Sequence, residues 1–249
     1  MRFIDVHCHL DMCVDIAGAI TRARAAGVAT IITQGVNPAS NRAALELAAR
    51  HGEVKAALGL YPIDALSLDD TAIDEELHFI RTQRKSVTAI GEVGLDFKDD
   101  TEKNEQQKYV FRKIISLAHE LQKPLIVHSR YAENECIALL EEASAKRVIM
   151  HCFSGKWSLV QRIIANGWFL TVPTHVTRSE QIQRIAREIP LKYLLCETDA
   201  PFLHPQKLDN NEPALVVESY KMIALLKGLP LEDVATMIEK NYARLFSSA

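Results

Sequence analysis

The sequence predicts an α/β protein, a single-domain (β/α)8 TIM-like barrel, on three observations. Short β-branched runs alternate with longer amphipathic stretches about eight times from end to end, which favours a parallel sheet covered by helices. The 249 residues suit eight such units in one barrel, with a doubly wound open sheet as the alternative. No Ser/Gly linker or compositional break divides residues 1–249, and no GxGxxG or GxxxxGK[ST] turn follows the first strand, which disfavours a nucleotide-binding open sheet.

In chain order, strands are expected at Phe3–His9, Val28–Thr33, Val54–Leu58, Val87–Val93, Leu125–His128, Val148–His151, Trp168–Val172 and Tyr193–Glu197. Helical periodicity occupies Ile16–Ala26, Asn41–Arg50, Ala72–Arg84, Asn104–Leu121, Asn134–Ser144, Trp157–Asn166 and Ser179–Glu188. Two further apolar-periodic stretches, Pro213–Leu226 and Leu231–Phe246, close the chain. Gly27, Gly52 and Gly167 read as glycines just past helix ends, Gly52 after the basic pair Arg50-His51. Pro124 and Pro190 stand just before strands, where they interrupt no helix. The longest irregular stretch is Asp199–Asn211, and the charged run Lys98–Lys103 reads as a solvated loop and helix start.

Composition narrows the function classes. With 48% hydrophobic and 24% charged residues the chain is neither disordered nor collagen-like. No run of about 18 apolar residues occurs, so no membrane span is expected. The segment MRFIDVHCHL has no signal-peptide core, and a cytoplasmic location is expected. A net charge of −3 excludes a uniformly basic DNA-coating protein but not a locally basic groove. The five cysteines, Cys8, Cys13, Cys136, Cys152 and Cys196, are odd in number, contain no CxxC pair and read as reduced structural thiols.

Polar residues collect at strand ends. His7 and His9 are two apart, so strand periodicity puts both imidazoles on one face, with Cys8 pointing the other way. Asp5 shares that face one step deeper and is expected to orient one of the two rings. Later strands end in or near Glu92, His128, His151 and Asp199, the last preceded by Glu197-Thr198. In a barrel the C-terminal strand ends meet at one mouth, where barrel enzymes keep their sites. Neutral imidazoles beside carboxylates are a metal-ligand pattern that suits Zn, Mn, Co or Fe and tolerates Mg. Six ligands exceed one tetrahedral ion, whereas two ions sharing a carboxylate use them all. Such a pair makes a hydroxide at neutral pH, so hydrolysis is expected, with Asp199 as ligand and proton acceptor and Glu92 as the other catalytic carboxylate. Arg130, with Ser129 beside it, is the candidate grip for a phosphate oxygen, against a bland pairing with an acid such as Glu133 at the rim. His175 and His204, on loops after the last two strands, are candidate substrate contacts, whereas His51, His78 and His119 fall on or at the ends of helices, where helix capping or solvent exposure is their expected role.

The words Asp5-Val-His7-Cys-His9-Leu10, Gly91-Glu92-Val-Gly94-Leu95-Asp96, His128-Ser129-Arg130, His151-Cys-Phe153-Ser154-Gly155 and Glu197-Thr-Asp199-Ala-Pro201 resemble the TatD family of metal-dependent hydrolases, within the amidohydrolase-like superfamily. Asn211-Glu212-Pro213 and the late Asn241 and Phe246 also fit, and the words keep the family's order over nearly the whole chain. The resemblance implies a TIM-like barrel with two divalent ions (Mg, Mn or Zn), one held by His7, His9 and Asp199 and one by His128 and His151, with Glu92 shared. It also implies hydrolysis of DNA phosphodiesters, typically as a 3′–5′ exonuclease on single strands. Three positions depart from the family pattern. Tyr61 stands where a His is usual, Tyr131 where an Asp is usual, and no Arg precedes Asn-Glu-Pro, where Lys207-Leu-Asp-Asn stands instead. Two rivals are an amidohydrolase acting on a C–N or C–O bond, which would lack the carboxylated Lys common in such enzymes, and a barrel that only binds nucleic acid or a partner.

Overall fold

The computed structural model describes residues 1–98 and 103–246 and contains eight parallel strands hydrogen-bonded in chain order. The strands are β1 (Phe3–Cys8), β2 (Val28–Gln34), β3 (Val54–Leu58), β4 (Val87–Asp96), β5 (Leu125–Arg130), β6 (Val148–Met150), β7 (Phe169–Pro173) and β8 (Leu194–Glu197). The helices are α1 (Ile16–Ala25), α2 (Pro38–Arg50), α3 (Pro62–Ala65), α4 (Asp70–Thr82), α5 (Asn104–Leu121), α6 (Glu133–Glu142), α7 (Trp157–Ala165), α8 (Glu180–Glu188), α9 (Val216–Lys227) and α10 (Leu231–Phe246). This is the expected (β/α)8 barrel. Its strands are buried on both faces, as every residue of β1, β6, β7 and β8 is, which is why they read as continuous apolar runs.

The seam between the last and first strands closes just where the chain leaves them. Asp199 N donates to His7 O at 2.9 Å, and His9 N donates to Ala200 O at 2.7 Å. From the helix layer, the buried Tyr220 hydroxyl of α9 accepts from Ile4 N at 2.9 Å and donates to Ile4 O at 3.0 Å. Local signals set several helix starts. Asp15, Asp69 and Ser179 cap α1, α4 and α8, and Asn37 forms a capping box with Ser40 ahead of Pro38.

Some boundaries differ from the sequence reading, each for a local reason. β4 runs on from Val93 to Asp96 because Gly94, Leu95 and Asp96 pair with His128, Ser129 and Arg130 of β5. Gly94 sits at φ +138°, and a Cβ there would lie 2.0 Å from His128 O, so only glycine lets the two strands meet. β6 stops at Met150, one residue before His151. A one-turn helix, α3, was not expected from the Tyr61-Pro62 turn. Gly27 and Gly167 take the expected left-handed backbone, but Gly52 does not, since α2 ends on His51 in an extended conformation. His78 and His119 are exposed on α4 and α5. The five cysteines are free thiols, with Cys8, Cys136 and Cys196 buried and burial pushing each of these three well above the ordinary thiol pKa. The charged run at Lys98–Lys103 falls largely outside the described residues. Among the described residues no helix is long and apolar enough to cross a membrane.

Candidate metal centre

Three stretches of chain far apart in sequence meet at the C-terminal mouth of the barrel. β1 delivers His7, and the turn after it delivers His9, whose backbone is held by Ala200. Asp199 lies two residues beyond β8 at φ +57°, a left-handed conformation that Asp tolerates better than most residues. That twist, fixed by its N–H bond to His7 O, turns its carboxylate towards the two imidazoles. Glu92 enters from β4 within a register shift between Ile90 and Val93.

Four donor atoms converge. His7 Nε2 lies 3.3 Å from His9 Nε2, 3.3 Å from Asp199 Oδ1 and 3.5 Å from Glu92 Oε2. His9 Nε2 lies 3.4 Å from Glu92 Oε2 and 3.5 Å from Asp199 Oδ1. Ligands bound about 2.0–2.2 Å from one tetrahedral ion stand about 3.3–3.6 Å from each other. These five separations fall at those edge lengths, and His7, His9 and Asp199 form a three-donor group within 4.8 Å. Each of the two imidazole nitrogens, 3.3 Å apart, also faces two carboxylate oxygens, so once deprotonated both can turn a lone pair towards one cation. The donor set therefore fits a divalent ion.

The other oxygen of Glu92 serves a second pair of rings. Glu92 Oε1 is 3.0 Å from His128 Nδ1 and 3.6 Å from His151 Nε2. Among the described residues, His7 with Glu92 and His151, and His7 with His9 and Asp199, each bring three donor atoms within 4.8 Å of one another. His128 belongs to neither. Its Nε2 faces Asp96 Oδ2 at 3.0 Å.

Two buried carboxylates to which the sequence reading gave no role stand behind these rings. Glu197 Oε2 is 3.1 Å from His151 Nδ1, and its Oε1 accepts from Cys152 N at 3.0 Å, which fixes the ring with Nε2 towards Glu92. Asp96 Oδ2 takes Tyr61 OH at 2.7 Å and Arg130 Nε at 2.8 Å as well as His128. Both acids were within reach of sequence periodicity, since Asp96 is four residues from Glu92 and Glu197 two from Asp199. Asp5, in contrast, orients no imidazole. Its carboxylate accepts from Thr198 N at 2.9 Å and Thr198 Oγ1 at 2.5 Å and reaches only the backbone N–H of His7, at 3.3 Å. Burial raises its pKa to about 7. Arg130 pairs with Asp96 rather than with Glu133.

Electrostatics make this a site where protons and cations compete. Burial works against charge on His7, His9 and His128, but the carboxylates override it. Glu92 and Asp199 raise His7 well above its ordinary value and His9 to about 9, and Asp96 and Glu92 raise His128 to about 9. Burial likewise opposes charge on Glu92 and Asp199, yet the facing imidazoles hold both carboxyls below the usual range. A raised imidazole pKa means that the proton stays on until the pH passes about 9, so an entering ion must displace it. Apparent affinity for a divalent ion is expected to rise with pH from about 6 to about 9, with proton release that calorimetry in two buffers would count. Affinity that stays flat over this range, without proton release, would contradict the arrangement.

Two cavities open on the centre. One, of about 440 Å³, is lined by His9, Glu92, His128, His151 and Asp199 together with Arg130, Tyr61, Met12 and Phe202. The other, of about 270 Å³, shares His128, Arg130, His151 and Asp199 and adds Ser129, Ser154, His175 and Gln181. Ser129, Arg130 and His175 thus reach the site. His204 lines neither cavity, and its Nδ1 accepts instead from Gln206 N at 3.1 Å, so the loop turns it aside.

A family model described as TatD related DNase matches residues 4–247. The chain is 33% identical to human Deoxyribonuclease TATDN3, covering 98% of this chain and 94% of the relative. It is 34% identical to the metal-dependent hydrolase YabD of Bacillus subtilis, covering 97% of this chain and 98% of the relative. Its fold superposes with a TM-score of 0.92 on YJJV, a TatD homologue of Escherichia coli solved by crystallography, at 27% identity over 99% of this chain and 98% of that one. With matches over its whole length, and with the expected words placed at one barrel mouth, this chain belongs to the TatD family of DNase-related metal-dependent hydrolases.

Proposed function

We propose that this hydrolase cleaves DNA phosphodiesters, working from 3′ ends of single strands, with two divalent ions of the Mg, Mn or Zn type. The observation that carries the reading is the division of Glu92, one oxygen towards His7 and His9 and the other towards His128 and His151. In this reading His7, His9 and Asp199 hold one ion, His128 and His151 hold the other, and Glu92 is shared. Bound ions would supply Lewis-acid activation of water and of the phosphoryl group. The chain's own residues do the rest. Asp199 takes a proton from the attacking water, with His7 and His9 fixing its carboxylate. Glu197 and Asp96 hold the rings of His151 and His128 in one orientation. Arg130, kept in place through Nε by Asp96, grips a non-bridging phosphate oxygen, and Ser129 and His175 line the path beside it. The DNA substrate is supported by the human relative's name and by Arg130 among the residues that line the mouth.

The test reconstitutes metal-stripped protein with Mg²⁺, Mn²⁺ or Zn²⁺ and assays it on single-stranded DNA labelled at either end, on RNA, and on a panel of esters and amides. Stepwise shortening from the 3′ end with about two ions per chain is expected. Cleavage of an ester or amide but of no phosphodiester would defeat the nuclease reading, and metal loading that never exceeds one ion would defeat the two-ion centre.

A further inference from the structure

The larger cavity carries a feature that metal chemistry leaves unexplained: an exposed aromatic ring at its rim. Phe202 follows Asp199 by three residues, is 53% exposed, and stands edge-on to the His9 ring, with centroids 6.0 Å apart at 70°. Met12, 43% exposed, lines the same cavity, its N–H bonded to His9 O at 3.1 Å. A large apolar side chain held in water beside a polar centre marks a place where something apolar is covered.

The backbone that carries the ring is held at both its N–H and its C=O. Phe202 N donates to Asp199 O at 2.8 Å, and Asn211 Nδ2 donates to Phe202 O at 2.6 Å while also reaching Thr198 O at 2.8 Å and Thr174 Oγ1 at 3.0 Å. A ring on a fixed backbone has only its two side-chain torsions to lose when a ligand stacks on it. The cavity is polar on its floor, where Glu92, His151 and Asp199 lie, and apolar at Phe202 and Met12. One small ligand with a charged group at one end and a flat apolar face at the other matches that division, and about 440 Å³ is within the usual range for such ligands. The smaller cavity contains no Phe, Tyr or Trp among its lining residues, so a base has a stacking partner on one side only.

We propose that Phe202, with Met12 beside it, is a stacking platform for the nucleobase next to the scissile phosphate. This rests on the nuclease reading above and adds to it the group that sets the register of the strand. The platform reads the flat face of a base and not its hydrogen-bonding edge, so it accepts all four bases.

The experiment compares two single-stranded oligonucleotides that differ only in having bases or stable abasic sugars at the 3′-terminal positions. In wild-type protein reconstituted with Mn²⁺, kcat/KM is expected to favour the base-bearing strand by about 5- to 150-fold, the range for one lost stacking contact. Phe202→Ala is expected to bring that ratio close to one with metal content intact, and Phe202→Trp to preserve it. Fluorescence of the Phe202→Trp indole is expected to be quenched by the base-bearing strand, and less by the abasic one, in metal-free protein. A wild-type enzyme that cleaves both strands equally, or a Phe202→Ala enzyme that keeps the preference, overturns the platform and leaves the nuclease reading standing. A wild-type enzyme that cleaves neither overturns the nuclease reading itself.

Discussion

Asp199→Asn is expected to lower turnover by about 10²–10⁴-fold, the range for losing a positioned proton acceptor, and by more if the ion held with His7 and His9 is lost as well. The substitution keeps the shape of the side chain and, with it, the left-handed backbone that Asn also tolerates, so the loop after β8 should stay folded. What changes is charge. Asp199 helps to raise the pKa of both His7 and His9, so both rings should release their protons at lower pH in the metal-free variant. Elemental analysis, circular dichroism and histidine NMR titration would separate these effects. Retention of more than half the wild-type rate with full metal content would remove Asp199 from the chemistry.

The largest stability loss is expected from Gly94→Ala, two residues beyond Glu92 on β4. The new methyl carbon would meet His128 O at 2.0 Å, and the backbone would be held at φ +138°. Overpacking costs about 1–3 kcal/mol and a strained non-glycine conformation a further 1–3, so a loss of about 2–6 kcal/mol is expected. No flexible side chain can give way, because the atom struck is the backbone carbonyl of the residue that faces Glu92. Relief would have to come from parting β4 from β5. Gly52→Ala is the control, with nothing within 4 Å of the added carbon and no left-handed backbone, and should change stability by about 1 kcal/mol or less. Denaturant midpoints of the two variants would measure the contrast, and equal midpoints would show that the strands do not approach as closely as described.

The barrel was legible because its strands are apolar on both faces and separated by amphipathic stretches; Val54–Leu58, Asn104–Leu121 and Leu231–Phe246 were placed to the residue. The convergence of His7 and His9 followed from strand periodicity alone. The supporting acids Asp96 and Glu197, though at strand spacing from Glu92 and Asp199, were given no role. Gly94 hid the last three residues of β4, and with them the fact that Asp96 lies beside His128 and Arg130 of the next strand. Tyr61 reaches the same carboxylate across 35 residues, a closeness that only the barrel creates. The reading of Asp5 failed for a related reason. Its face was right, but its oxygens are taken by Thr198, 193 residues away on the seam. The error at Gly52 was of a different kind, since a glycine after a basic residue allows a left-handed stop without requiring one.

The bonds that join β8 to β1 also order events in time. Asp199 follows His9 by 190 positions, and a ribosome adding about 5–20 residues per second spends roughly 10–40 s between them. Throughout that interval the emerging N-terminal strand has its two imidazoles but lacks Asp199, one of the two carboxylates that face them, and the backbone acceptor at Ala200. A nascent chain of seven strands exposes both β1 and β7 as open edges, the condition in which strands pair with the wrong neighbour. Pairing of the eighth strand with β7 and its two end bonds to β1 cover these edges and bring Asp199 to His7 and His9 together.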